Sequence, residues 1–553
     1  MKTPNDSLPI HACAGGARAV TQIPESYAPQ VASRRYAFLV AAGIFLSRVS
    51  GLVRDRVFAH YFGLSATADA FKAALRIPNA LQNLFGEGVL SASFIPIYAS
   101  LLAREDHEEA RRTAGAVASL LALATAILVL IGVLGAPWLT YALAAGFSPE
   151  KRELTVRIVR ILFPGVGLLV FSAWCLGILN SHRRFFLSYS AGVIWNAAMI
   201  VAMLGWGGRA AQDRLAIILA WGSVAGSFLQ VGVQLPVVLR LLGGLRLSLR
   251  GWTGNVKTVV VNFFPVFLSR GVVQISAYVD GFIASFLPTA AVSGLASAQL
   301  LYTLPVSLFG MSVSAAELPQ MSGALGSQAE VAEVLRKRLD AGLRQIAFLV
   351  VPSAAAFLVL GDVIVGAIYL TGRFNQADVL YVWGILAGAT VGLLASTLGR
   401  LYSSTYYALR DPRTPLRFAI IRVALTSILG YLCALPLPRH LGIDPRWGVA
   451  GLTISAGVAS WVEFHLLRTT LNRRIGRTGL PSEYLAKLWA TALFAAGAGW
   501  AIHRYGGHHR PIPLALFVLL PYGAIYFAGT WLLGIAESRA LFSRFLSRAR
   551  AAN

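Results

Sequence analysis

The sequence predicts an all-α polytopic membrane protein of about fourteen transmembrane helices. Three observations carry that prediction. Of 553 residues, 56% are hydrophobic and only 13% charged, against about 25% charged in soluble domains; the mean hydropathy is +0.64. The apolar residues arrive in unbroken runs such as Ala114 to Ala144, which no solvated surface tolerates. The chain also repeats itself, so one half of the spans mirrors the other. Short loops leave no room for a large soluble catalytic domain.

In chain order, the first 35 residues are polar, contain Pro4, Pro9, Pro24 and Pro29, and are expected to be a disordered cytoplasmic leader. No apolar core with a small-residue cleavage site precedes Tyr36, and Cys13 lacks the apolar run a lipidated cysteine needs, so neither removal nor lipidation is expected. Apolar spans then begin near Tyr36, Ala68, Thr113, Leu154, Phe186, Leu215, Val259, Ala290, Leu343, Val379, Leu416, Val449, Tyr484 and Pro513. An even number places both termini on one side. Arg34-Arg35, His182-Arg183-Arg184, Arg336-Lys337-Arg338, Arg410 with Arg413, Arg468 with Arg473-Arg474, and the tail Arg544, Arg548 and Arg550 share that side, which the positive-inside rule makes cytoplasmic. Lys151-Arg152 and Arg510 are the exceptions. The net charge of +24 therefore reads as topology-setting loops beside anionic lipid, not as a nucleic-acid surface. The three cysteines, Cys13, Cys175 and Cys433, are too scattered for a disulfide framework or metal cluster.

The repeat sets the organisation. Phe45-Leu46-Ser47-Arg48, leading through Asp55 to Ile77-Pro78 and Leu84-Phe85-Gly86, recurs as Phe267-Leu268-Ser269-Arg270, leading through Asp280 to Leu304-Pro305 and Leu308-Phe309-Gly310. Both copies open a span on the cytoplasmic side, so the halves are related by an axis along the membrane normal. The division expected is a leader 1–35, an N-terminal lobe 36–243, a C-terminal lobe 244–480, and two further spans with a cytoplasmic tail in 481–553. Two bundles with a cleft between them suit alternating access.

Charges inside spans point to the site. The first two spans hold Arg48, Arg54, Asp55, Arg56, Asp69, Arg76 and Glu87, and an ionised group at the bilayer centre costs about 2.5–3.5 kcal/mol. Arg54 to Arg56 at a helix end could snorkel to headgroups; the sharper reading is a cationic cavity for an anion, since guanidinium offers phosphate a planar, always-charged fork. Asp69 and Glu87 then serve as partners that orient the arginines, or as protonatable gates. The second half carries Arg270, Asp280, Glu317, Arg344, Arg400, Arg422 and Glu463 and is otherwise more apolar, which suits a substrate with an anionic head and a greasy tail. There is no Gly-rich phosphate loop followed by Lys-Ser/Thr for ATP. His503, His508 and His509 read as solvated loop histidines without acidic company rather than a metal site, and Tyr406-Tyr407 as an interfacial aromatic belt.

These residues carry a family resemblance. Ser47-Arg48 with Gly51-Leu52-Val53-Arg54-Asp55, Ala66-Thr67-Ala68-Asp69-Ala70-Phe71, Ile77-Pro78-Asn79, Phe85-Gly86-Glu87-Gly88, Leu179-Asn180 with Arg184-Phe185, Ala284-Ser285-Phe286-Leu287, and Tyr406 through Pro415 resemble the MurJ (formerly MviN) lipid II flippases of the multidrug/oligosaccharidyl-lipid/polysaccharide exporter superfamily. The resemblance runs from about Tyr36 to the tail. It implies two pseudo-symmetric six-helix lobes plus two C-terminal helices, and a flippase, not an enzyme, moving undecaprenyl-diphosphate-linked peptidoglycan precursor across the bacterial cytoplasmic membrane. It implies diphosphate binding by Arg48 and Arg54, functional acids at Asp55, Asp69 and Glu87, substrate contact around Arg76 and Asn79, a lipid-tail groove on the last two helices beside Leu516, Leu519, Tyr522 and Tyr526, and cell-wall synthesis machinery as a partner. The chain departs from the family at Gln82, where an arginine is usual, and at Gln299-Leu300, where an Asp-Arg pair is usual. Arg270, Arg76 or Arg400 could substitute. An exporter of another polyprenyl-diphosphate oligosaccharide, such as an O-antigen or capsule unit, is the alternative. A glycosyltransferase is disfavoured because the loops at 208–214 and 503–510 are short and lack paired carboxylates, and a drug exporter because the first half is rich in arginine.

No cofactor is expected; sodium or the membrane potential would drive transport. The carboxylates of Asp280 and Asp411, the Val423 carbonyl and the Ser427 hydroxyl resemble the family's sodium site, with Tyr407 where an amide is usual. Equally, Asp411 caps the eleventh helix and Asp280 pairs with an arginine.

Overall fold

A computed structural model describes residues 30–85, 90, 93–244, 253–323, 327–506 and 510–540, and those residues are helical with no strand. In chain order the helices are α1 (Gln30–Phe62), α2 (Ala66–Phe85), α3 (Ile95–Ala103), α4 (His107–Leu134), α5 (Ala136–Leu143), α6 (Pro149–Ser181), α7 (Phe185–Trp206), α8 (Gln212–Leu242), α9 (Gly254–Ser285), α10 (Ala291–Pro305) and α11 (Ser312–Ser322). They continue as α12 (Gln328–Val359), α13 (Gly361–Tyr369), α14 (Gln376–Thr390), α15 (Leu393–Ala408), α16 (Arg413–Ala434), α17 (Pro436–His440), α18 (Gly448–Ile475), α19 (Ser482–Tyr505) and α20 (Pro511–Leu532).

Local chemistry starts and stops these helices. Asp106, Ser148 and Thr253 accept from the third backbone N–H of α4, α6 and α9, and capping boxes at Ser327/Glu330 and Asn375/Asp378 open α12 and α14. Gly243 ends α8 in the left-handed region at φ 66, where a side chain would be strained.

Each expected span coincides with a helix. Ten described helices are long and apolar enough to cross a membrane, and the α14–α15 pair makes eleven. With α1, α2 and α9, of 33, 20 and 32 residues, the arrangement fits fourteen crossings. Two spans are broken, which hydropathy does not reveal. After Pro305 the backbone passes through a π turn, Val306–Met311, before resuming as α11. The α14–α15 span bends by 43°, and there Gly392 lies so close to α18 that a Cβ would stand 2.5 Å from the Gly457 Cα.

Among the described residues the buried apolar side chains form three clusters. One gathers Phe58, Phe71, Phe163, Met199 and Leu219, a second Phe94, Tyr98, Trp174 and Leu242, and the third, largest, Leu295, Phe348, Tyr402, Leu467 and Tyr526. Helices α1 to α8 supply nearly all of the first two, and α9 to α20 most of the third. The final pair, α19 and α20, packs on α12 and α13. Pro352 inside α12 has no N–H, which orphans the Phe348 carbonyl; the Tyr526 hydroxyl donates to it at 2.7 Å, and that of Tyr522 to the Pro352 carbonyl at 2.5 Å. This corrects two of the residues expected on the groove face. Tyr522 and Tyr526 face inward, and the exposed apolar face of α20 is Leu516, Phe517 and Leu520.

Candidate functional site: a cationic cavity closed at one end

A cavity of about 550 Å³ lies between α1, α2, α6, α7, α8 and α10. Arg48, Arg54, Asp55, Asn79 and Leu300 line it. The α1 and α7 backbones can approach because Gly43 and Gly192 sit between them: a Cβ on Gly43 would lie 2.9 Å from the Tyr189 Cβ, and one on Gly192 3.0 Å from the Ser47 Oγ.

Arg54 is held from three directions. It donates to Asn196 Oδ1 at 3.0 Å and to Asp55 Oδ2 at 2.8 Å, and its guanidinium carbon lies 5.1 Å from the Trp195 ring centroid. Asn196 in turn donates to Ser50 Oγ at 2.9 Å. Asp55, 4% exposed, also accepts from Lys72 Nζ at 2.6 Å. The triad of Arg54, Asp55 and Lys72 thus retains one surplus positive charge in a protected site. Arg48 is exposed to the cavity and makes no ion pair among the described residues. A fixed fork, a free fork and a surplus charge are what a compact anion with several oxygens requires.

The other charged residues of the first two spans lie at the far end, where the two halves meet. Asp69, 1% exposed, accepts from Lys151 Nζ at 3.1 Å, from the backbone of Ala290 at 3.0 Å and Ser293 at 2.8 Å, and from Ser293 Oγ at 2.7 Å. It caps the N-terminus of α10, where backbone N–H groups and the helix dipole favour an anion. Its partner is therefore a lysine and a helix end, not the arginines expected of it. Arg56 does not snorkel: it donates to the carbonyls of Ala367 at 2.6 Å and Ile368 at 3.0 Å, at the C-terminal end of α13. The backbone N–H of Arg373 donates to the His60 carbonyl at 2.9 Å. Arg76 donates to Gln299 Oε1 at 2.8 Å and lies against Gly281, where a Cβ would stand 1.9 Å from Nη1. These contacts shut the cleft beside the loops at 63–65, 286–290 and 370–375. The cavity instead runs toward the start of α7 at Ser188 and Tyr189, on the face that bears Arg183, Arg184, Arg336 and Arg410.

Several expectations need correction. Lys151, an apparent exception to the charge asymmetry, is the partner of Asp69, and Arg152 donates to the carbonyls of Ala145 and Phe147 at 2.9 and 3.1 Å. The sodium ligands are not gathered in this conformation. Asp411 accepts from the Thr414 N–H at 3.1 Å and Oγ1 at 2.7 Å and pairs with Arg474 at 2.8 Å, while Ser427 donates to the Val423 carbonyl at 2.8 Å, about 15 Å further along α16. Asp280 faces the charges of Arg76 and Arg422. Capping thus describes Asp411. Of the substitutes considered for the absent cations, Arg76 is at the closed end and Arg400 does not line the cavity. Tyr406 is buried and donates to the Leu467 carbonyl at 3.1 Å, so it is not interfacial, and His503 lies 3.6 Å from Asp362, so it has acidic company. Cys13, Glu87, His508, His509 and the tail arginines lie outside the described residues, as do the side chains of Gln82 and Arg270.

Sequence reasoning missed Lys72, Asn196, Lys151 and Ser293. Two of them carried a usable signal: Lys72 is a charge inside an apolar span, and Lys151 breaks the charge asymmetry of the loops.

Two helical halves enclosing a charged cavity, sealed on one face of a membrane-spanning bundle, define a polytopic membrane transporter rather than an enzyme. The comparisons are specific. The family model described as lipid II flippase MurJ matches residues 58–517. The lipid II flippase MurJ of Burkholderia cenocepacia is 31% identical over 515 residues, covering 90% of this chain and 97% of that one; the probable lipid II flippase MurJ of Rhizobium meliloti is 31% identical over 81% of this chain and 82% of its own. Among solved structures, one described as lipid II flippase MurJ in an inward closed conformation matches with a TM-score of 0.74 at 23% identity, over 90% of this chain and 98% of that one. An inward-facing multidrug-resistance transporter of the MATE family in the MOP superfamily matches at 0.62 and 18% identity, over 79% and 98%. The chain belongs to the MurJ family.

Proposed function

We propose that this protein translocates lipid II, a polyprenyl-diphosphate-linked peptidoglycan precursor, from the inner to the outer leaflet of the bacterial cytoplasmic membrane by alternating access. The observation that carries the reading is the exposed Arg48, unpaired among the described residues, sharing one cavity with the braced Arg54. The diphosphate docks between the two forks while the polyprenyl tail stays in lipid. The Arg-rich face and both termini are cytoplasmic, so the cavity loads from the cytoplasm and the contacts of Asp69 and Arg56 form the periplasmic gate. Opening of that gate and closure around α7 would release the head group outward. Sodium or the membrane potential drives the cycle, the latter contributing about 2.3 kcal/mol per charge per 100 mV.

Complementation of a bacterium depleted of its lipid II flippase tests the reading. The wild-type chain is expected to sustain growth. Arg48→Ala, inserted at normal levels, is expected to lose it, since charged hydrogen bonds contribute about 1.5–3 kcal/mol each, or 10- to 100-fold in binding. Arg48→Lys should rescue poorly because a point charge lacks the fork. Full growth on Arg48→Ala, Arg54→Ala would overturn the proposal.

A further inference from the structure

Helix α8 carries a polar stripe through the membrane. Ser223, Ser227, Gln230 and Gln234 recur at intervals of four, three and four residues, which places them on one face of an α-helix. On an apolar span such a face must turn away from lipid. The stripe begins beside the arginine site, where Trp195, the ring next to Arg54, donates from Nε1 to Ser223 Oγ at 3.2 Å. It continues into the wall of the same cavity, which Gln230 and Gln234 line together with Ser172 of α6.

Those three side chains are linked in series. Gln230 donates from Nε2 to Ser172 Oγ at 2.8 Å, and Ser172 donates to Gln234 Oε1 at 2.6 Å. Ser172 and Gln234 are 3% and 1% exposed. The relay ends on an amide nitrogen without a partner among the described residues: Gln234 Nε2, with two N–H donors, makes no hydrogen bond to any of them. Reversing the amides does not remove the deficit, because Ser172 Oγ can engage only one end of Gln234 and the other end, now an oxygen, is left unpaired. Joining α6 to α8 requires a single bond between Ser172 and Gln234, so a long amide beside Leu169, Ala173 and Leu176 is more than helix pairing needs. Buried polar groups are normally satisfied, and one that is not calls for a partner.

We propose that Gln234, positioned by Ser172 and Gln230, recognises an uncharged polar group of the substrate next to the diphosphate, an amide or hydroxyl of the first sugar. The proposal rests on the diphosphate reading of the arginines and adds a second, neutral subsite to it. The two subsites divide the work. Arginine forks hold any polyprenyl diphosphate, whereas a buried amide left unpaired by a head group lacking the matching atom discriminates against that head group.

Binding to purified protein in nanodiscs separates the two, with undecaprenyl diphosphate and undecaprenyl-diphosphoryl-N-acetylhexosamine as probes. Wild-type protein is expected to bind the sugar-bearing lipid more tightly. Gln234→Met, similar in length but without the amide, should weaken the sugar-bearing lipid about five- to tenfold and leave the bare diphosphate unchanged. Arg54→Ala should weaken both. Gln234→Glu, which keeps the shape and the acceptor for Ser172, is the second variant, and it too should lose the preference for the sugar. Equal effects of both Gln234 variants on the two lipids, or none on either, would overturn the neutral subsite while leaving the arginine site standing. Failure of wild-type protein to bind either lipid would overturn both readings.

Discussion

Replacing Asp69 by Asn should unlock the closed end of the transporter. The carboxylate accepts four hydrogen bonds, from Lys151, Ala290 and both donors of Ser293, at 2.7–3.1 Å and with 1% exposure. Asn keeps the shape but loses the charge, and it turns one oxygen into a donor that faces either a backbone N–H or the Lys151 ammonium. Lys151 is then a poorly compensated cation, 11% exposed, at the positive end of α10. Removing one partner from a buried charge pair costs about 3–5 kcal/mol. Lys151 belongs to the same lobe as Asp69, but the contacts with Ala290 and Ser293 join the halves only when this end is shut, and only then is the Lys151 cation held against the positive end of α10; the loss therefore falls on the closed state and should shift the equilibrium toward opening by roughly a hundredfold to several thousandfold. Spin labels at the exposed positions Ala66 and Gln376, with Cys13, Cys175 and Cys433 replaced, would report the separation across this end by pulsed electron paramagnetic resonance. A longer, broader distance distribution in Asp69→Asn is the expected result. An unchanged distribution in folded protein would refute the latch.

Two further outcomes follow from the corrected sites. Restoring positive charge by Gln82→Arg together with Leu300→Arg should raise lipid II transport in the complementation assay, because Leu300 lines the cavity; the two must be combined, since neighbouring charges in one cavity do not add. No gain would show that the arginines present already suffice. Asp411→Ala should leave the response of transport to sodium as it is in the wild type and lower stability by about 1 kcal/mol, the usual worth of a helix cap, whereas loss of a wild-type sodium response in this variant would restore Asp411 to an ion site. The Thr414 hydroxyl, then its N–H and Arg474, hold the Asp411 carboxyl below its ordinary value of 3.8, so the cap's contribution is complete above that value and is lost as the pH falls through the lowered one.

The sequence alone determined the class, the order of the spans and a count that the helices fit, the repeated motif, and the positions of Arg48, Arg54 and Asp55. Those are properties of local composition and of short spacings: a run of about twenty apolar residues must cross the bilayer whatever its neighbours, and a charge inside such a run must find a polar environment. Arg54 and Asp55 are adjacent in the chain, so their pairing needed no fold. The partners of the other charges were a tertiary decision. Asp69 is 82 residues from Lys151 and 224 from Ser293, Arg56 is 311 residues from Ala367, and Arg76 is 223 from Gln299. Hydropathy states that each helix is in the membrane but not which helix stands beside it. Only packing assigned Asp69 to a gate and Arg54 to a cavity, although both read in the sequence as acid and base of one cluster. The same holds for Gln230 and Gln234, whose periodic spacing is written in α8 but whose meaning depends on Ser172, a residue of another helix facing the same space.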